Sequence, residues 1–402
     1  MSNRPRLAPS ATVLADPLSR RSFLRGLSLA GLAVTGGGVL SACGVESATQ
    51  TEDSCDEKDL SNKEKVINFS NWPLYIDPIG KPDTSTLEAF MKKTGIEVSY
   101  ATDVNSNDQF FGKVRNQLAN CEPTGRDIFV LTDWMAGKMI DLGWIQKLDQ
   151  GNLPNVQANL IESLRSPGFD PKRQYSVPWQ SGVTGIAYNS ELTDEVSSFE
   201  ELLTRPDLEG KVTLLSEMRD TMLFMLLIEG ADPEKFTDAE FDKAIERLQQ
   251  VVDAGHVRRF TGNDYKQELT SGNAVACEAW SGDVIQLQFA DPKFKFVVPE
   301  EGLALWSDNM IVPNRATHKT NAEKLMNYYY DPMVAAQLAA WNNYICPVEG
   351  AQDAMRQLHP GLADNVLIFP DSDFLANTYD FMALSPEQDK KYQTQFQQVV
   401  GA

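Results

Sequence analysis

Histidine is nearly missing from this chain: His256, His318 and His359 are the only three in 402 residues, far apart and with no cysteine pair nearby. A zinc site and a histidine-based hydrolase therefore have little material to work with, and no metal is expected. Positive charge is short as well, 36 Lys+Arg against 56 Asp+Glu, for a net charge of −20. That balance opposes long-range attraction to phosphate backbones and anionic headgroups, so no nucleic acid partner is expected. After the first 42 residues no run is apolar enough to cross a bilayer. What remains is ample core material: 42% of the residues are hydrophobic, in a length that suits two or more domains of roughly 150 residues each.

The N-terminus reads as an address. Ser19-Arg20-Arg21-Ser22-Phe23-Leu24-Arg25 precedes an uncharged run from Gly26 to Leu40, which leads into Leu40-Ser41-Ala42-Cys43. The run is about 15 residues, short of the ~20 a spanning helix needs. Signal, apolar run and lipobox in this order predict a twin-arginine export signal over residues 1–42, cleaved before a lipid-bearing Cys43. The competing reading is a short anchor that is never cleaved. Cleavage removes a net charge of +4, so the mature chain carries −24. Acyl chains contribute about 0.8 kcal/mol per buried methylene, which holds an otherwise soluble body at the membrane. Residues 43–64, polar and poor in large apolar side chains, read as a flexible tether. Cys55, Cys121, Cys277 and Cys346 remain. Export leaves disulfides and free thiols both open, with Cys55–Cys121 as one candidate pair and the other two compatible with buried small hydrophobes.

From Lys65 onward, short apolar runs alternate with amphipathic stretches, the pattern of an α/β protein with two lobes. Strands are expected at 66–69, 96–100, 127–131, 211–215, 275–279, 294–298 and 310–313. Helices are expected at 84–94, 107–119, 221–229, 238–254, 321–330 and 332–341. Tyr175–Trp179 and Ala304–Asp308, both extended and apolar, are candidates for chain crossings between lobes. The expected division is 65–178 plus 306–343 for one lobe and 179–305 plus 344–402 for the other, with a ligand cleft between them.

Several of the seven tryptophans stand at a predicted strand end beside an acid or a turn: Trp72 with Tyr75, Trp134 after Asp133, Trp280 ahead of Asp283, and Trp306 ahead of Asp308. Strand carboxyl ends form the ligand crevice of open α/β sheets. Glu217 and Asp220, three residues apart at a helix entrance, add two carboxylates on one side of a turn. Aromatic faces attract ammonium groups by ~0.5–2 kcal/mol each. A cleft lined by indoles and carboxylates suits an organic polycation. Any one of these tryptophans is as compatible with core packing, and any one acid with a cap or a solvated surface.

Across roughly residues 65–350 the chain resembles the spermidine/putrescine-binding proteins of bacterial ABC importers. The resemblance rests on Asn71-Trp72-x-x-Tyr75, Asp127–Val130, Lys138–Asp149, Tyr175–Pro178, Glu217-x-Arg219-Asp220, Trp280–Asp283 and Trp306–Asp308, taken in order. It implies a two-lobed fold of the type II periplasmic-binding-protein kind. Trp72, Tyr75, Trp134, Trp280 and Trp306 would then sandwich the methylene chain, Glu217, Asp220, Asp283 and Asp308 would pair with the amines, Thr132 would hydrogen-bond one end, and Tyr344 would line the second lobe. It also implies a monomeric receptor that is not an enzyme, needs no cofactor and hands its polyamine to an ABC permease with its ATPase subunit. Two departures stand out: Pro73 and Leu74 occupy places where relatives often have a polar or acidic residue, and position 217 is Glu where Asp is common. A receptor for a sugar or another small solute, a glycoside hydrolase with paired carboxylates and a structural cell-surface protein are the alternatives the residues leave open.

Overall fold

Two long antiparallel strands run through the middle of the protein, and the rest of the sheet grows from their ends. The computed structural model describes Cys55, residues 58–80 and residues 85–401. The expected export signal, Cys43 and the tether up to residue 57, Cys55 apart, lie outside them. In chain order the strands are β1 (Val66–Ser70), β2 (Glu97–Ala101), β3 (Ile128–Thr132), β4 (Ser176–Asn189), β5 (Val212–Leu215), β6 (Val257–Thr261), β7 (Ala276–Trp280), β8 (Phe294–Val297), β9 (Leu303–Ile311) and β10 (Thr378–Tyr379). Their lateral order is β2-β1-β3-β9-β4-β7-β5-β6, with β8 beside β4 and β10 beside β9.

β4 is buried along all 14 residues, its apolar side chains interrupted by the buried polar Ser176, Gln180, Ser181, Thr184 and Asn189. It pairs with β9 from Ser176 opposite Ile311 to Thr184 opposite Ala304, and the register shifts between Pro178 and Ser181. β3 joins the 308–311 end of β9, whereas β7 joins the 184–188 end of β4. At each end parallel strands follow, β1 with β2 and β3, and β5 with β6 and β7. Ser176–Trp179 and Ala304–Asp308 fall in the two central strands, with Tyr175 just ahead of the first.

The described residues form two main hydrophobic cores. The first gathers Ile67, Phe69, Phe129, Trp179, Met310 and Tyr330; the second gathers Phe199, Phe224, Phe241, Leu248 and Phe396. The C-terminal part divides between them. Cys346, Met355 and Ile368 pack in the first core, and Tyr392, Phe396 and Val399 in the second. The latter three are spaced i, i+4, i+7 on the helix Pro386–Val400, which a Ser385/Gln388 capping box starts. Burial of large apolar side chains stabilises by about 1.5–3 kcal/mol each, so that helix is seated firmly by one face.

β6 has no counterpart among the expected strands. Val257-Arg258-Arg259-Phe260-Thr261 carries two exposed arginines in its middle, a composition that guards a sheet edge and hides the alternation of a strand. Cys55 and Cys121 are disulfide-bonded, with Cα atoms 5.3 Å apart, while Cys277 and Cys346 are free and buried. Of the expected tether, residues 58–64 lie against 317–321. The Leu60 N–H donates to the Thr317 carbonyl at 2.7 Å, and the Asn321 side chain donates to the Glu64 carbonyl at 2.8 Å.

Candidate functional site

Three residues occupy the same local position. Thr132 ends β3 and caps the helix Asp133–Asp141; Trp280 ends β7 and caps Ser281–Ala290; Glu217 follows β5 and caps Met218–Ile228. None of the three spends its side chain on the helix it starts, so each is left to face the space beyond the strand ends. A helix turns by about 100° per residue, so the third helical residue comes back to the side of the cap. Asp220 and Asp283 hold that place in their helices.

These five side chains border one cavity, together with Trp72, Tyr75, Trp306, Asp308 and Tyr344. Ten of the eleven ligand-site residues expected from sequence are therefore brought together. Trp72 donates from Nε1 to the Val130 carbonyl at 3.0 Å, which fixes its ring. Trp72 and Trp280 meet edge to face at 5.6 Å, Trp280 and Trp306 at 6.3 Å, and Tyr75 and Tyr344 at 4.9 Å. Two glycines permit this crowding. A Cβ on Gly182 would stand 2.5 Å from the Trp306 ring, and one on Gly282 would stand 2.6 Å from the Tyr344 ring.

The acids are held by donors of unequal number. Glu217 Oε1 accepts from the Asn107 N–H at 2.7 Å and from its Nδ2 at 3.3 Å, whereas Oε2 is buried without a partner. Asn107 Nδ2 also donates to Thr132 Oγ1, which in turn donates to Asp308 Oδ1, both at 2.8 Å. Asp220 Oδ1 accepts from the Thr184 hydroxyl and, at 3.3 Å, from Trp280 Nε1. Asp283 Oδ2 accepts from Asn263 Nδ2 at 3.1 Å and from the Tyr265 hydroxyl at 3.0 Å, and Lys266 Nζ lies 2.9 Å away. Burial pushes the Glu217 carboxyl up to about 8, with Asp108 and Asp220 adding repulsion. Burial likewise pushes Asp308 up to about 7 against the pull of the Thr132 hydrogen bond, and raises Asp220. The cavity holds protons that a cation would displace.

Trp134 is the exception among the expected residues. As the second helical residue after the Thr132 cap it is turned about 200° from the cavity side. It lines an adjoining groove that Thr132, Asp220 and Trp306 also border, and there the Arg219 guanidinium carbon sits 3.9 Å over its ring. Arg219 also reaches Asp389 on the 386–400 helix at 2.9 Å, and Lys138 reaches the same carboxylate at 2.9 Å. Gln393, one turn on, donates to Asp108 at 2.6 Å.

Pro73, Asn107 and Asn263 border the cavity without having been expected there. Asn263 follows β6, the strand hidden by its arginines. Asn107 opens a helix that the sequence does place, and its position beside the Ser106 cap was the available signal. Behind the lining, fully buried Glu278 accepts from the Leu215 N–H at 2.8 Å and the Thr221 hydroxyl at 2.7 Å, bracketing the loop that carries Glu217 and Asp220.

Residues 85–370 match the sequence model described as bacterial extracellular solute-binding protein. The spermidine/putrescine-binding periplasmic protein of Escherichia coli is 28% identical over 314 residues, which cover 78% of this chain and 85% of that protein. Among solved structures, a putative spermidine/putrescine ABC transporter from Listeria monocytogenes is similar with a TM-score of 0.72 and 25% identity, over 84% of this chain and 99% of that one. A binding protein from A. tumefaciens in complex with agropinic acid shares the fold at a TM-score of 0.65 and 17% identity, over 84% and 99%.

Proposed function

The chain belongs to the bacterial extracellular solute-binding protein family, a family of extracytoplasmic receptors of ABC transporters and not of enzymes, and we propose that its solute is a polyamine. The observation that carries this reading is the convergence of Glu217, Asp220 and Asp308 with Trp72, Trp280 and Trp306 on one cavity. An ammonium group left unpaired in such a place costs several kcal/mol, and here carboxylate oxygens and indole faces receive it. The buried, unpartnered Oε2 of Glu217 is a ready acceptor for a ligand N–H. The methylene chain is to lie among the tryptophan and tyrosine rings. The names of the Escherichia coli and Listeria monocytogenes relatives point the same way. Relatives of the same fold take other solutes, so the fold alone does not select the ligand.

The mechanism is a population shift. Lobes of residues 65–178 plus 306–343 and of 179–305 plus 344–402 carry the two walls. A ligand that touches both walls favours the closed state, and the permease and its ATPase subunit respond to that state. No bond is made or broken. Cys43 carries the lipid that keeps the monomeric receptor at the membrane after the twin-arginine signal is removed.

The test is a thermal-shift screen of the mature protein with di-, tri- and tetra-amines, amino acids and sugars. A ligand at 100 times its Kd stabilises by about 2.7 kcal/mol. Stabilisation by amines alone supports the reading. Stabilisation by sugars or amino acids and by no amine overturns it.

A further inference from the structure

The four acids on the cavity are not equivalent, and the difference bears on which amine the cavity selects. Asp283 already has a cation. Lys266 Nζ lies 2.9 Å from its Oδ2, with the lysine side chain 12% exposed and the aspartate 2%. The same oxygen accepts from Asn263 and Tyr265. With Lys266 in place, the charge of that corner is balanced by an ion pair, and Oδ2 already has two hydrogen-bond donors. Among the described residues, lysine and arginine are absent from the lining of the cavity, and Lys266 reaches Asp283 from behind it. Arg219, next to Asp220 in sequence, is turned away onto Trp134 and Asp389.

We infer that Lys266 is a specificity-determining residue: its tethered ammonium takes the place of one ligand ammonium at Asp283, so the receptor favours a diamine over a triamine. This rests on the polyamine reading and goes further by assigning the charge class of the ligand. The remaining receptors are Glu217, Asp220 and Asp308. Glu217 and Asp308 belong to one hydrogen-bonded chain through Asn107 and Thr132, which gathers their negative charge. A third ligand ammonium therefore meets at Asp283 a carboxylate whose charge Lys266 already balances from outside the lining, and an uncompensated like charge of this kind is how binding sites reject a competitor.

The experiment is calorimetric titration of the mature protein with putrescine and with spermidine, in wild type and two variants of opposite charge effect. Lys266→Gln frees Asp283 and adds one negative charge to the cavity, so the ratio of spermidine to putrescine affinity should rise about tenfold. Asp283→Asn leaves Lys266 unpaired, so the same ratio should fall by about tenfold or more. The double variant Lys266→Gln/Asp283→Asn restores the charge count, and its ratio should return to that of wild type. The two single variants are read independently, so poor folding of one leaves the other decisive. Ratios within about twofold of wild type in the folded variants overturn the inference while leaving polyamine binding intact. Absence of binding of either amine to wild type instead overturns the polyamine reading itself.

Discussion

Trp280 and Trp134 each follow a buried strand and each stand next to the start of a helix, yet one borders the cavity and the other lies outside it. Trp280 is the cap of its helix, while Trp134 is two residues past the cap. That difference is about 200° of rotation. The cap position and the third helical position face the cavity, in Thr132, Glu217, Asp220, Trp280 and Asp283 alike. In the helices that start at Asp133 and Met218 the second position, Trp134 and Arg219, lines the groove, where the two side chains stack on each other. Proximity of an aromatic and an acid in sequence is thus not enough; the helical phase decides which of them a ligand sees.

The largest test of this contrast is Asp308→Asn. Removing one partner of a buried charge pair costs about 2–5 kcal/mol, so amine affinity should fall at least about thirtyfold by calorimetry. Next comes Trp280→Ala set against Trp134→Ala. Loss of a desolvated cation–π contact of about 2 kcal/mol predicts roughly a thirtyfold weaker ligand for the first, followed by fluorescence titration. The second should stay within about threefold, because its ring receives Arg219 and not the ligand. Equal losses would erase the distinction.

A third test uses protons. Glu217 is pushed up to about 8 and Asp308 up to about 7 by burial. Both folded-state values lie above the ordinary carboxylate range, so the ligand-free protein binds more protons than its unfolded chain between those limits. Its thermal stability should therefore be greatest on the acid side and decline as pH rises through 7 to 8. A cationic ligand prefers the ionised acids, so amine affinity should rise about tenfold or more from pH 6 to 8, with proton release visible as buffer-dependent heat. A flat pH profile would contradict the burial of these groups. The smallest effect is expected at Asp389→Asn, which breaks the contacts from Lys138 and Arg219 outside the cavity. Partly exposed ion pairs contribute about 0.2–1 kcal/mol, so ligand release in stopped-flow should quicken only a few-fold.

The α/β alternation and ten of the cavity-lining residues were legible because strand ends and their following acids are local features of the chain. Three kinds of feature were not. β6 was hidden by the arginines that protect an edge, and Asn263 was lost with it. Trp134 was misplaced because its strand ends one residue later than the apolar run suggests, which changes the helical phase. The pairing of Asp283 with Lys266 joins a helix after β6 to a helix after β7, a juxtaposition that only the tertiary fold creates.

The most direct measurement is a calorimetric titration of the mature wild-type receptor with putrescine, run beside Glu217→Gln/Asp308→Asn. The account predicts saturable one-to-one binding with proton release in wild type and its loss in the double variant. A wild type that ignores amines, or a double variant that binds putrescine as well as wild type does, would contradict it.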